Sequence, residues 1–376
     1  MLILGCCLGS CDYYFVPKGL DDGAKLYVQC IAGNSDTTFI NIQKAMGINT
    51  VGDIMPDVES VSLKVNGRES TIKKYVIPDL PEDFLYGTKD YDEPSFYPEF
   101  DYPYYTLKRY NIWYTDSPVK EGDDLSLTVK AKGMEEVSAK ATVPRKVVIQ
   151  GINAAPRCST FTDFDTSYTE KYLSFDINIA DASPDDYYGI TVKLEQESTI
   201  YYDDGRTESY TSSGYGRIID WNGSNSDIMA ELQVNGGAWT DAYYNGYFID
   251  SFGARNMKLV SGSFLKDGHL QFDCSILWSE DTDTTYAAYD GNTDTLIYGE
   301  MNIKRNARYK LLIYRVSPEF FRFNKAQYLL RNNYLAEYGL SPSTFSYSNI
   351  NGGFGLLGGL SCTTTPWYQS PYEPEQ

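Results

Sequence analysis

Among 376 residues the chain has a single histidine, His269. Any Ser/His/Asp or Cys/His centre would have to be built on that one imidazole, and a His/Cys zinc site is poorly supplied. His269 stands in LKDGHLQF, where Asp267-Gly268 reads as a hairpin turn, so it is expected to open a strand at a surface or edge. Basic residues are also short, with 32 Lys and Arg against 51 Asp and Glu and a net charge of −19. There is no basic stripe, which argues against a nucleic-acid partner and against surface binding to anionic headgroups. Beyond the first residues no stretch approaches the roughly 18 apolar residues of a membrane helix. Once a leader is removed, Cys30, Cys158, Cys274 and Cys362 remain beside one N-terminal cysteine. They are widely spaced without a C-x-x-C, and both disulfide pairing and isolated buried thiols stay open.

Tyrosine, by contrast, is abundant, with 34 residues. Its apolar ring and polar tip suit half-exposed strands and binding surfaces alike. The N-terminus reads MLILGCCLGSC, a short apolar run closing on Leu8-Gly9-Ser10-Cys11. Small residues before a cleavage point mark a secretory signal. Small residues directly before a cysteine have the form of a bacterial lipobox, in which the thiol is acylated and the cysteine becomes the new N-terminus. Residues 1–11 are therefore expected to be a signal peptide and lipobox, with Cys11 lipidated and held in outer-membrane lipid by two or three acyl chains. No Lys or Arg precedes Cys11. Residues 12–24 read as a tether.

From residue 25 the chain is strand-like. KLYVQCIAG, SVSLKVNG, TIKKYVIPD, DLSLTVKAKG and EVSAKATVPRKVVIQG are short β-rich runs ended by turn residues. TFINIQKAMGI reads equally as a strand or a short helix. The cadence predicts an immunoglobulin-like β-sandwich over 25–147. A segment rich in Tyr, Pro and acids interrupts it at 81–114, too long for an ordinary hairpin loop. It is read as an insertion covering a sheet edge or as a contact surface for a partner or glycan, with Tyr97, Tyr102, Tyr104 and Tyr105 as candidate contacts. A second β-rich domain is expected over 148–376, from YLSFDINIAD, GITVKLEQE, STIYYDDG, GRIIDW, MKLVSGSFL, HLQFDCSILW and RYKLLIYRV. Ser317-Pro318-Glu319 then supplies an N-cap, a first-position proline and a first-turn acid, predicting one late α-helix over about 318–338 with Gly339 as its stop. The fold class is thus mainly β: the sandwich plus the second β-rich domain with its helix and a Gly-rich C-terminal segment.

Two motifs suggest specific chemistry. GFGLLG at 353–358 has the G-x-G-x-x-G spacing of a dinucleotide-binding turn. That turn needs a strand before it, a helix after it and an acid about 20 positions on. The preceding run is turn-rich, and the tail after Gly358 holds prolines and is too short for a helix and second strand, so the nucleotide reading fails. In the acidic run SEDTDTTYAAYDGNTDTLIYGE, Asp290, Asn292 and Asp294 have the alternating oxygens of a calcium loop. The EF-hand's sixth-position Gly and twelfth-position Glu are replaced by Thr295 and Met301. A structural calcium site of another kind and an exposed, solvated hairpin loop are the two readings left. No other cofactor is expected.

LGSC at 8–11, SAKATVP at 138–144, DDYYGITVKL at 185–194, LLIYRVSPEFFRF at 311–323 and SNINGGFGLLG at 348–358 together carry a family pattern. In these the chain resembles the Bacteroidota outer-membrane lipoproteins classed as "domain of unknown function 4249", over nearly the whole mature length. The terminal glycine signature is the most specific piece. The resemblance implies an outer-membrane lipid anchor, facing outward or into the periplasm, and a role beside a TonB-dependent transporter. It does not supply a reaction. The expectation is a non-enzymatic binding or accessory lipoprotein with a glycan or peptide ligand. The alternatives are an adhesin or envelope-assembly component, and a carbohydrate-active hydrolase using two carboxylates that nothing in the sequence singles out. Trp221, Trp239 and Tyr243, in polar turn-rich segments, are further candidate ligand contacts.

Overall fold

The computed structural model describes residues 24–33, 36–45, 55–75, 111–163, 166–219, 240–242, 257–290, 295–331 and 347–371. In chain order the first ten strands are β1 (Lys25–Ala32), β2 (Thr38–Ala45), β3 (Val58–Val65), β4 (Arg68–Glu69), β5 (Lys73–Lys74), β6 (Ile112–Thr115), β7 (Asp124–Ala131), β8 (Val137–Thr142), β9 (Ile149–Asp163) and β10 (Thr166–Ile179). They are followed by β11 (Tyr187–Tyr202), β12 (Thr207–Tyr215), β13 (Arg217–Ile219), β14 (Thr240–Ala242), β15 (Met257–Ser261), β16 (His269–Ser275), β17 (Glu280–Asp290) and β18 (Thr295–Val316). Helix α1 (Pro318–Arg331), β19 (Phe354–Thr364) and β20 (Tyr368–Gln369) complete the described chain. The protein is mainly β, and α1 is the one α-helix among the described residues.

Period-two alternation builds the first sandwich. In β8, VSAKAT, every other residue is buried, and β7 follows the same rhythm. The sheet β4-β3-β7-β8 lays this apolar face on β1, β2 and β19. Leu63, Leu125, Leu127 and Val129 meet Leu26, Val28, Ile40, Ile42 and Leu357 in one core. In the second sandwich the sheet β13-β16-β10-β9 packs on β11 and β18. Phe175 stacks on Phe272 at 5.1 Å over Tyr188, Ile190, Leu311 and Ile313. The opposite face of the large sheet is covered by α1, whose Phe320, Phe321 and Phe323 pack with Leu259, Val316, Leu356 and Leu360.

The two sandwiches share one sheet of twelve strands. The glycine segment 353–358, placed by sequence inside the second domain, enters β19, which pairs parallel with β1 and antiparallel with β18. The boundary at 147/148 therefore does not separate two closed bodies, because the N-terminal sheet is completed by the C-terminal strand. Glycine is required there by contact. A Cβ on Gly355 would lie 2.0 Å from the Val28 carbonyl oxygen, and its φ of +118° is itself a glycine conformation. A Cβ on Gly358 would press Phe320, and one on Gly359 would meet the backbone of Val143.

Other differences have simple causes. TFINIQKA is strand β2, because Ile40 and Ile42 alternate into the core. Residues 112–114, taken as the end of the insertion at 81–114, begin strand β6 and pair with β2, with Ile112 buried and the Asn111 carbonyl accepting from the Ile42 amide. GITVKLEQE and the STIYY of STIYYDDG form one strand, β11, which runs through polar Glu197-Ser198 because β18 pairs with it along its whole length and β12 from Lys193 to Tyr201. In the acidic run 279–300, Glu280–Asp290 and the residues from Thr295 on are paired strands, β17 and β18, while the turn expected at 291–294 lies outside the described residues. The helix starts at Pro318 as predicted. Its expected end and Gly339 lie outside the described residues, as do the signal, Cys11, most of the tether and 81–110.

Gly355→Ala is expected to cost more than about 3 kcal/mol in a urea unfolding titration, since backbone atoms of β1 cannot yield as a side-chain tip would. Gly133→Ala, at φ +71° with nothing within 4 Å of a new Cβ, is expected to cost only about 1–2 kcal/mol.

Candidate functional site

Among the described residues, those that carry the family pattern meet at the seam between the sandwiches. Ser317 accepts from the Phe320 amide at 3.3 Å as the helix N-cap and from the Gly359 amide at 3.2 Å, while its own amide donates to the Gly359 carbonyl at 2.8 Å. One hydroxyl thus ties α1 to β19. Asn349 acts as a missing strand neighbour: its side chain accepts from the Leu357 amide at 2.9 Å and donates to the Leu357 carbonyl at 2.8 Å. Tyr187 stacks on Phe321 at 4.3 Å, and Gly189 leaves room for Met257. Buried Arg315 lies 2.9 Å from Asp181 and 3.5 Å from Asp186, over the ring of Tyr188, whose hydroxyl donates to Asp186 at 3.2 Å. These contacts close backbone ends and neutralise a buried charge. They account for the motifs as architecture.

The exposed chemistry lies elsewhere. Beyond Leu194 and Tyr309, the last residues of the second core on these strands, β12-β11-β18-β17 run on as a four-stranded arm. Where β11 and β12 end, hereafter the tip, an open groove of about 540 Å³ beside the continuing β17–β18 pair is lined in part by Tyr201, Tyr202, Asp203, Asp283, Glu300 and Asn302. Tyr202 and Tyr286 meet edge to face at 5.0 Å. The Arg206 guanidinium lies 4.5 Å from the Tyr202 ring centre and pairs with Asp204 at 2.6 Å. Asp203 accepts from the Tyr286 hydroxyl at 3.1 Å and the Glu300 amide at 2.9 Å. Gly299 lets the Tyr286 ring lie across the strand opposite it. Asn302 donates to Asp283 at 2.9 Å and to Asp281 at 2.5 Å.

The electrostatics of the tip are set locally. Hydrogen bonds from the Arg206 amide and guanidinium hold Asp204 below the usual carboxylate range. Burial and then the bond to Glu208 push the Tyr202 hydroxyl up; burial and then Asp203 do the same to Tyr286. All three move away from neutral pH. The tip therefore presents fixed charges and neutral phenols, a chemistry suited to holding a polar partner.

Of the residues singled out by sequence, Cys11, Tyr97, Tyr102, Tyr104, Tyr105, Trp221, Trp239, Tyr243, Asn292 and Asp294 lie outside the described residues. Asp290 ends β17, paired with Thr295. Among the described residues no group of three His, Cys, Asp or Glu side chains is placed to hold a metal ion. His269 opens β16 and pairs with Asp176 of β10 at 2.8 Å. Tyr202, Arg206 and Tyr286 were missed. The signal was the Tyr201-Tyr202 pair before Asp-Asp-Gly-Arg, read only as a turn, and nothing local links it to Tyr286.

The four described cysteines are unpaired. Burial pushes the Cys30 thiol up to about 12 and also raises Cys274, so both stay protonated and shielded. Cys158 is exposed on the edge strand β9. Iodoacetamide on the native protein is expected to label Cys158 and to reach Cys30 and Cys274 only after denaturation, as read by peptide mass spectrometry. Native labelling of either buried thiol would contradict this burial.

No curated protein and no solved structure matches the chain. A family model does, over residues 13–365, and it spans the seam residues and the arm alike. The protein belongs to the family described as "Domain of unknown function (DUF4249)".

Proposed function

We propose that the protein is a non-enzymatic outer-membrane lipoprotein, anchored through acylated Cys11, that works by binding as an accessory of a TonB-dependent transporter. The observation that carries the binding half of this reading is the arm. The strands β11, β12, β17 and β18 run past the core, and the Tyr202–Arg206–Tyr286 cluster forms where β11 and β12 end beside the continuing β17–β18 pair, its side chains held by mutual contacts. Ordered aromatics and an arginine at a rim are the residue types that anchor protein interfaces and saccharides, because little side-chain entropy is left to lose on binding. The LGSC sequence at 8–11 supports the anchor.

The test uses the full chain with a C-terminal tag, extracted in mild detergent from outer membranes of a host that carries its transporters. A stoichiometric barrel protein is expected with the wild type. Tyr202→Ala with Tyr286→Ala is expected to weaken capture about tenfold, equivalent to about 1.4 kcal/mol. Cys11→Ala should release the protein from the membrane fraction. Recovery of the wild type alone would defeat the accessory role, and unchanged capture by the double variant would move the contact off the arm tip.

A further inference from the structure

The arm has two long edges, and they differ in kind. β17, EDTDTTYAAYD, is lined with acids that repel an approaching strand of this acidic protein. β12, TESYTSSGY, has one charge, Glu208, and no lysine or proline. Its register with β11 runs from Tyr201–Thr207 to Lys193–Tyr215 without a bulge, and nearly every residue is exposed. Among the described residues β12 pairs with β11 alone.

The hydrogen-bond phase shows which groups are free to pair. The Tyr202 amide donates to the Arg206 carbonyl at 3.0 Å and the Gly216 amide to the Val192 carbonyl at 2.8 Å. Alternation along an antiparallel pair then turns the backbone of Glu208, Tyr210, Ser212 and Gly214 toward β11. The amides and carbonyls of Thr207, Ser209, Thr211 and Ser213 point outward. These outward groups are centred on Thr211.

We propose that this edge pairs with β12 of a second copy, antiparallel and two-fold symmetric about Thr211. In that register Thr211 meets Thr211, Ser209 meets Ser213, and each exchanges both backbone hydrogen bonds with its partner. The bulky Tyr210 lies opposite the small Ser212, and Glu208 opposite Gly214. The two Glu208 carboxylates stand roughly 20 Å apart along the strands, so the single charge on the edge opposes nothing of its own sign. Centring the axis on Ser209 or Ser213 keeps the phase but runs the pairing off the end of the strand. An isologous contact of this kind closes on itself and leaves neither β12 edge open to further strand addition. Tyr202 touches β12 only through its hydroxyl bond to Glu208, near the strand's start, so a pairing centred on Thr211 is tested apart from the tip cluster.

The experiment uses the full chain carrying Cys11→Ala, so that detergent does not obscure its mass, followed by light scattering across a concentration series. A dimer mass that halves on dilution is expected. Thr211→Pro removes an outward amide without touching the β11 ladder and should abolish the dimer with an unchanged thermal melt. Thr211→Val keeps the amide and should keep the dimer. In a Cys158→Ser background, Thr211→Cys places two sulfurs on strands whose Cα atoms are about 5.5 Å apart. It should crosslink under mild oxidation. Ser209→Cys or Ser213→Cys alone should not, but a mixture of the two should. A monomer at every concentration, including one that accepts a foreign strand, overturns the proposal. So does a dimer indifferent to Thr211→Pro, or equal crosslinking at all three positions.

Discussion

The close approach of β19 to β1 is the constraint on which the rest of the structure depends. Gly355 lies against the Val28 backbone at a φ that side chains avoid, and the following strand carries Leu357 into one core and Leu356 and Leu360 into another. On its other edge β19 pairs with β18, the longest strand of the second sandwich. Each half of the molecule has its own apolar centre, but the common sheet exists only because this one strand fits between them. Since β1 and β19 come from opposite ends of the chain, their contact is of the kind whose loop-closure entropy must be met late in folding.

Around that strand the polar contacts are economical. Ser317 caps the helix and holds β19 with the same hydroxyl, and Asn349 supplies the hydrogen bonds of an absent strand neighbour. Arg315 is costly to bury, and Asp181, Asp186 and the Tyr188 ring meet that cost at the end of β18. The seam is therefore tied by paired polar groups between its elements. The arm is built otherwise, from paired strands with exposed faces and a tip held by aromatic, cationic and carboxylate contacts. Close packing at the seam and exposure at the arm divide the molecule into a part that joins the two cores and a part that offers surface.

Much of this was legible locally. The Ser317-Pro318 start, the strand opened by His269 and the alternation of β7 and β8 follow from rules that operate within a few residues. The failure of the nucleotide reading of GFGLLG was also local, resting on what precedes and follows the motif. Longer-range features were not legible. The polar pair Glu197-Ser198 looked like a break, yet β11 continues through it because neighbours on both sides supply the hydrogen bonds. Asp203 and Tyr286 are far apart in sequence, and only the β11–β18–β17 register brings them together.

The sequence by itself determined the β-rich class, the start of a late helix, the family and the need for glycine near the C-terminus, because propensity, capping and backbone freedom are properties of short segments. The tertiary structure alone decided that those glycines face β1 and a helix, that the two halves share a sheet, and that Tyr202, Arg206 and Tyr286 form one surface. Strand pairing is a contest among many edges of similar chemistry, and its outcome depends on which apolar faces can be buried together, a quantity spread over the whole chain.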